Sequence, residues 1–176
     1  MNSVPQKKIY CFDTSAFLAL SRTSETVIRI PDELWNHLEN MMKDGEIISH
    51  RIVFDEIISG TKNPPFITLW IRKKVAYFFP MSNAQIEQVS EIVKQFPGLI
   101  DYGREKEQAD PWLIALAIEK SKNATLFEIC LSIVVSQENP NSSIKIPAVC
   151  KYFNIKHCSL REFFDEIGLS TKLSKK

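Results

Sequence analysis

The stretch IYCFDTSAFLAL, Ile9 to Leu20, is apolar almost throughout except for one carboxylate, Asp13, with the hydroxyls of Thr14 and Ser15 directly behind it. An ionised carboxylate left unpaired in a dry interior is costly, so Asp13 must be neutralised, hydrogen-bonded, paired with a cation or bound to a metal. Three further acids stand against apolar background in the same way: Glu56 in RIVFDEIISG, Asp110 in QADPWLIALAIEKS and Glu138 in LSIVVSQE. Gathered in one place, four carboxylates repel and raise one another's pKa unless they share a cation. Oxygen-only ligation of that kind suits Mg²⁺ or Mn²⁺, and no cluster of His and Cys suggests zinc. Each acid also has a plainer use. Asp13 and Asp110 could cap or begin helices, and Glu56 and Glu138 could be solvated.

The elements around these residues decide whether they can meet. KKIYCFDTS reads as a short buried strand ending at Asp13, and SAFLALSR as a helix capped by Thr14 or Ser15. PDELWNHLENMMKDG has Asp and Glu in its first turn, apolar residues at helical spacing and Gly45 as a stop. EIISH is a strand and RIVFDEIISG a helix closed by Gly60, on which Asp55 and Glu56 point about 100° apart, so that only one faces any given crevice. PFITLWIRKKVAYFF and SNAQIEQVSEIVKQF read as two more helices, the second capped by Ser82. QADPWLIALAIEKS starts a helix with Asp110 and Pro111 in its first turn. LSIVVSQE is a β-prone run ending in a hydroxyl and an acid, as the opening strand does; NPNSSIKIP is a loop, AVCKYFNI a helix, KHCSL a strand and REFFDEIG a last helix. Strands alternating with helices predict a parallel sheet flanked by helices on both faces. In such a sheet the strand C-termini and following helix N-termini converge on one crevice.

Composition narrows the setting. The 176 residues predict one domain over 1–170, with a disordered lysine-rich tail at 171–176. With 44% apolar and 24% charged residues the chain reads as a soluble globular protein, and its net charge of +1 neither argues for a strong nucleic-acid field nor excludes a local basic groove. No apolar stretch reaches the ~20 residues that cross a bilayer, and Lys7 and Lys8 before the first apolar run read as part of a strand rather than a secretory leader. Cys11, Cys130, Cys150 and Cys158 show no disulfide-like spacing, which fits the cytoplasm. Cys150, His157 and Cys158 lack an evident fourth ligand and read as buried hydrophobes rather than a metal corner. Trp35, Trp70 and Trp112 read as core, and Arg72 to Lys74 as a solvated helix face.

Asp13 in FDTS, Glu56 in FDEIISG, Asp110 in ADPWLIALA and Glu138 in VVSQE resemble the four acidic positions of PIN-domain ribonucleases. ADPWLIALA, VVSQENP and IKIPAVCKYFNI are similar, more specifically, to a PIN-like bacterial and archaeal family labelled DUF4411, from Ile9 to roughly Gly168. The resemblance implies a three-layer α/β fold and metal-dependent hydrolysis of RNA, often as the toxin of a toxin–antitoxin pair, with an antitoxin and a second copy of the chain as partners. It makes Asp13 the central ligand, with Glu56 and Asp110 completing the shell directly or through water and Glu138 holding an outer water or second ion. Thr14 and Ser136 become donors that orient those carboxylates, and Ser15 a group that positions water or phosphate. PIN domains mostly carry Asp where Glu138 stands. Two rivals remain. A haloacid-dehalogenase-type phosphotransferase wants a second Asp two residues after the first, where this chain has Ser15. A catalytically silent PIN-like scaffold would keep the same acids and act through a protein or RNA partner.

Overall fold

A computed structural model describes residues 6–25, 32–103, 107–122 and 129–169. The lysine-rich tail lies outside them. Five parallel strands form the sheet: β1 (Gln6–Phe12), β2 (Ile47–His50), β3 (Phe78–Phe79), β4 (Ile129–Val135) and β5 (Lys156–Cys158). Their order is β3-β2-β1-β4-β5. The chain therefore builds outward from β1 to β3, then crosses back to place β4 on the other side of β1. The order reverses between β1 and β4, and the crevice beyond the carboxyl ends of those two strands is where ligands bind in open α/β sheets.

Eight α-helices flank the sheet among the described residues, in three layers: α1 (Thr14–Glu25), α2 (Asp32–Lys43), α3 (Arg51–Ser59), α4 (Pro65–Arg72), α5 (Asn83–Gln95), α6 (Ala109–Lys122), α7 (Ile146–Tyr152) and α8 (Leu160–Glu166). Tyr10 and Phe12, two residues apart, share one face of β1. Both rings stand edge-on to Phe163 of α8, and Phe12 also meets Phe17 of α1. Cys11 faces the other layer, where Lys120 of α6 is close enough to act on its thiol and Cys11 in turn acts on the thiol of Cys150 in α7. Helix α6 is buried on nearly every side from Ala109 to Ile118, which is why its sequence lacks a polar stripe.

Most sequence-predicted elements are present, with Gly60 capping α3 and Ser82 forming a capping box on α5. Gly45 follows α2 with φ +69°, a conformation that glycine takes without the Cβ penalty. Three expectations need correction. The run PFITLWIRKKVAYFF is not one helix: α4 stops at Arg72, a 3₁₀ turn spans Val75–Tyr77, and Phe78–Phe79 form the edge strand β3. Within the basic run, Lys74 is not solvated. Its ammonium lies 2.8 Å from Glu39 and over the ring of Trp70. Helix α1 is capped by neither Thr14 nor Ser15, which are its first two residues. Asp13 caps it, accepting from the Ser15 N–H at 3.0 Å. No helix of the described residues is long and apolar enough to cross a membrane.

Candidate active site

The β1–β4 register carries the site. Seven residues pair in parallel, from Gln6 with Ile129 to Phe12 with Val135, so both strands end at the same level. Asp13 and Ser136 therefore leave the sheet side by side, the Asp13 N–H still donating to the Val135 carbonyl at 3.0 Å. Beyond them lies a cleft of about 350 Å³ lined by Asp13, Thr14, Glu56, Asp110, Glu138 and Lys145, with Gly98 to Asp101 and Gln108 forming a further wall. The four acids singled out in the sequence meet here, from four different elements.

Each is held by a distinct device. Asp13 is buried, and its Oδ2 accepts both the N–H of Ser15 and the Ser15 hydroxyl, the latter at 2.6 Å. The same Ser15 oxygen accepts the Gln137 N–H at 2.9 Å, tying the start of α1 to the loop after β4. Glu56 reaches from α3 to the starts of two other helices: Oε2 accepts the Thr14 hydroxyl at 2.5 Å and Oε1 the Ala109 N–H at 3.1 Å. A carboxylate suits that place because first-turn N–H groups lack partners and carry positive potential. Asp55, one residue earlier, points away and pairs loosely with Arg51 on the surface. Glu138 Oε2 accepts the Ile146 N–H at 2.8 Å, capping α7 in place of Lys145, whose own side chain makes no cap. Its Oε1 lies 3.4 Å from the Lys145 ammonium.

Asp110, in the first turn of α6, feels the others most. Burial raises its pKa to about 8, with Asp13, Glu138 and Glu56 adding repulsion and Lys145 opposing it. Asp13 is likewise pushed up, mainly by burial, against the pull of its bonds to Ser15 and with Glu138 adding repulsion. These cross-influences show that the four carboxylates share one electrostatic environment.

Ser136 departs from expectation. Its hydroxyl is 2.9 Å from the His157 ring Nε2 and takes the Glu138 N–H at 3.5 Å, so it acts on the backbone of the β4 loop and not on a carboxylate. Cys150 and Cys158 are buried free thiols. Trp35, Trp70 and Trp112 are partly buried against the core, Trp112 stacked on the buried ring of His50. Sequence reasoning missed Lys145, Asp101 and Gln108. Gln108 brackets Asp101, accepting its N–H at 2.9 Å and donating to its carbonyl at 2.8 Å, and both residues line the cleft.

Among the described residues no three carboxylate, thiol or imidazole groups form a ready-made metal cage. The donor set explains this. Glu56 uses both oxygens on helix starts and Glu138 uses both on the start of α7 and Lys145, leaving Asp13 and Asp110 as the acids not spent on bridging elements. Two carboxylates suffice for Mg²⁺, which dehydrates reluctantly and keeps several waters. The carboxylates of Asp13 and Asp110 are donors of the kind that would suit a hard divalent ion, with Glu56 and Glu138 lining the same cleft.

A family model described as "Domain of unknown function (DUF4411)" matches residues 10–171. Among curated proteins nothing matches the chain.

Proposed function

Since this chain belongs to the DUF4411 family, its activity has to be argued from its own cleft, and we propose that it is a PIN-like ribonuclease hydrolysing RNA phosphodiester bonds with Mg²⁺ or Mn²⁺. The observation that carries this reading is the convergence of Asp13, Glu56, Asp110 and Glu138 on one cleft at the point where the strand order reverses. Their all-oxygen donor set and mutual repulsion support a hard cation as the missing counter-charge. When bound, the ion would stabilise charge on the scissile phosphate and lower the pKa of the attacking water.

The chain's own groups do the positioning. Asp13 presents its carboxylate in a fixed orientation because Ser15 holds Oδ2 through two bonds. Glu56 and Glu138, each locked by its helix-start contacts, keep lone pairs with which to orient waters, since a carboxylate offers about four acceptor sites. Asp110 holds a proton readily while uncompensated and gives it up when positive charge arrives beside it.

RNA as the substrate and a role as the toxin of a toxin–antitoxin pair are supported by the resemblance of FDTS, ADPWLIALA and VVSQE to PIN-domain ribonucleases, and location in the cytoplasm by four cysteines without disulfide-like spacing. The test is cleavage of a labelled single-stranded RNA by purified protein with Mg²⁺ or Mn²⁺, with EDTA, and with Asp13→Asn. Cleavage lost in both the chelator and the variant is expected. Cleavage surviving excess chelator would reject the metal, and an inactive wild type that still binds RNA would favour the silent scaffold. Growth arrest on expression, relieved by a neighbouring gene product, tests the toxin role.

A further inference from the structure

A cleft walled by Asp13, Glu56, Asp101, Asp110 and Glu138 repels a polyanion, and even a divalent ion at Asp13 and Asp110 leaves it acidic. Lys145 is the one cation among the described residues lining it. Its ammonium sits 3.4 Å from Glu138 Oε1, an ion-pair distance looser than a short charge-assisted bond, and its side chain is 45% exposed. The backbone beside it is fixed, because the next residue's N–H is held by the other oxygen of the same glutamate. Lys145 thus combines an anchored root with a half-exposed point charge lining an acidic cleft, an arrangement that a buried structural ion pair does not need.

We propose that Lys145 is the substrate's phosphate contact: its ammonium leaves Glu138 for a non-bridging oxygen of the RNA backbone, seating the strand against the carboxylates. The inference rests on the nuclease reading. It also gives Glu138 a second use, as the resting partner that keeps the lysine at the cleft when no RNA is present. Because a phosphate contact is made in both the ground and the transition state, its loss raises KM more than it lowers kcat.

The experiment measures fluorescence-anisotropy binding of a labelled single-stranded RNA in Mg²⁺ across a salt series. The proteins are Asp13→Asn, and Asp13→Asn carrying Lys145→Gln, Lys145→Arg or Lys8→Gln; cleavage kinetics follow the same Lys145 changes with Asp13 intact. Lys8 is an exposed control at the opposite end of β1 from Asp13. Lys145→Gln should weaken binding roughly tenfold and make the log–log salt slope shallower by about 0.7, the contribution of one phosphate contact on a single strand. Lys145→Arg should restore both, and Lys8→Gln should change neither. Cleavage with an unaltered salt slope in Lys145→Gln would overturn the role of Lys145 and leave the nuclease reading intact. Binding that shows the predicted slope change without cleavage by Asp13-intact protein would reject the nuclease and keep the lysine contact. Absence of RNA binding together with absence of cleavage by Asp13-intact protein would overturn both.

Discussion

Asp13 meets two demands at once: it caps α1, and it presents a carboxylate to the cleft. The two separate in Asp13→Asn. Asparagine caps helices about as well as aspartate, and the change removes a charge from a self-repelling cluster, so the metal-free protein should be equally or more stable while cleavage is abolished. Thermal melts beside RNA cleavage assays check this, and a variant that melted well below wild type would mean the charge is structurally required. Thr14→Val isolates the neighbouring device. It takes the hydroxyl from Glu56 Oε2 and frees that oxygen to turn, so kcat should fall roughly 10–100-fold, as losses of supporting partners do. Asp13 was legible in sequence as an acid inside an apolar run and Asp110 and Glu138 as acids at the edges of theirs, while the helical turn allowed only one of Asp55 and Glu56 to face the cleft. Lys145 was not, because it sits in a polar loop where a lone lysine has no pattern to break.

At the scale of elements, the cleft is a meeting of helix starts: α1, α6 and α7 all begin at its edge, where Glu56 accepts the Thr14 hydroxyl of α1 and the Ala109 N–H of α6, and Glu138 accepts the Ile146 N–H of α7. Glutamate rather than aspartate at these two places gives the reach to bridge from one element to another. The wall made by Gln108 and Asp101 is more exposed and held by two side-chain-to-backbone bonds. Gln108→Leu should therefore open this segment without loosening the core. Net losses of about 0.5–1.5 kcal/mol per bond predict hydrogen exchange at the Asp101 amide faster by roughly tenfold or more, with little change in melting temperature. Uniform acceleration across β1 and β4 would instead show that the wall supports the whole fold. The misread element, β3, follows from its size. Two residues, Phe78 and Phe79, cannot display a two-residue alternation, and the helical spacing of PFITLWIR before them extends the apparent period past the true stop at Arg72. The cap on α1 was misplaced by one or two residues because Asp, Thr and Ser stand together and all three suit the position.

Across the whole molecule, a fold stable enough to hold acids together sets a dependence on pH and metal that the individual elements lack. Asp13 and Asp110 have folded-state pKa values raised above the ~4 of an unfolded aspartate, Asp110 to about 8. Below pH ~4 both states are protonated and the groups cost nothing. As pH rises toward 8 the unfolded chain has released protons that the folded chain still binds, so stability falls with pH through that window and levels off above it. This is opposite in sign to the usual behaviour of ion-paired carboxylates, which protect a protein as pH rises. Among the described groups, Glu39 and Glu162 have lowered values, as do His50 and His157, the histidines mainly through burial; all four act in the direction of stability rising with pH, and all lie away from the cleft lining. Added Mg²⁺ supplies the missing counter-charge and binds the folded state alone, so it should raise the melting temperature most at and above pH 8 and least near pH 5. Asp13→Asn, lacking a direct ligand, should show a much smaller rise at every pH. Melts of wild type and variant from pH 5 to 9, with EDTA or Mg²⁺, provide the measurement. A metal-induced rise equal in both proteins would remove Asp13 from the ligand set, and EDTA-treated wild type gaining stability relative to Asp13→Asn toward pH 8 would mean that the carboxylates are compensated within the chain.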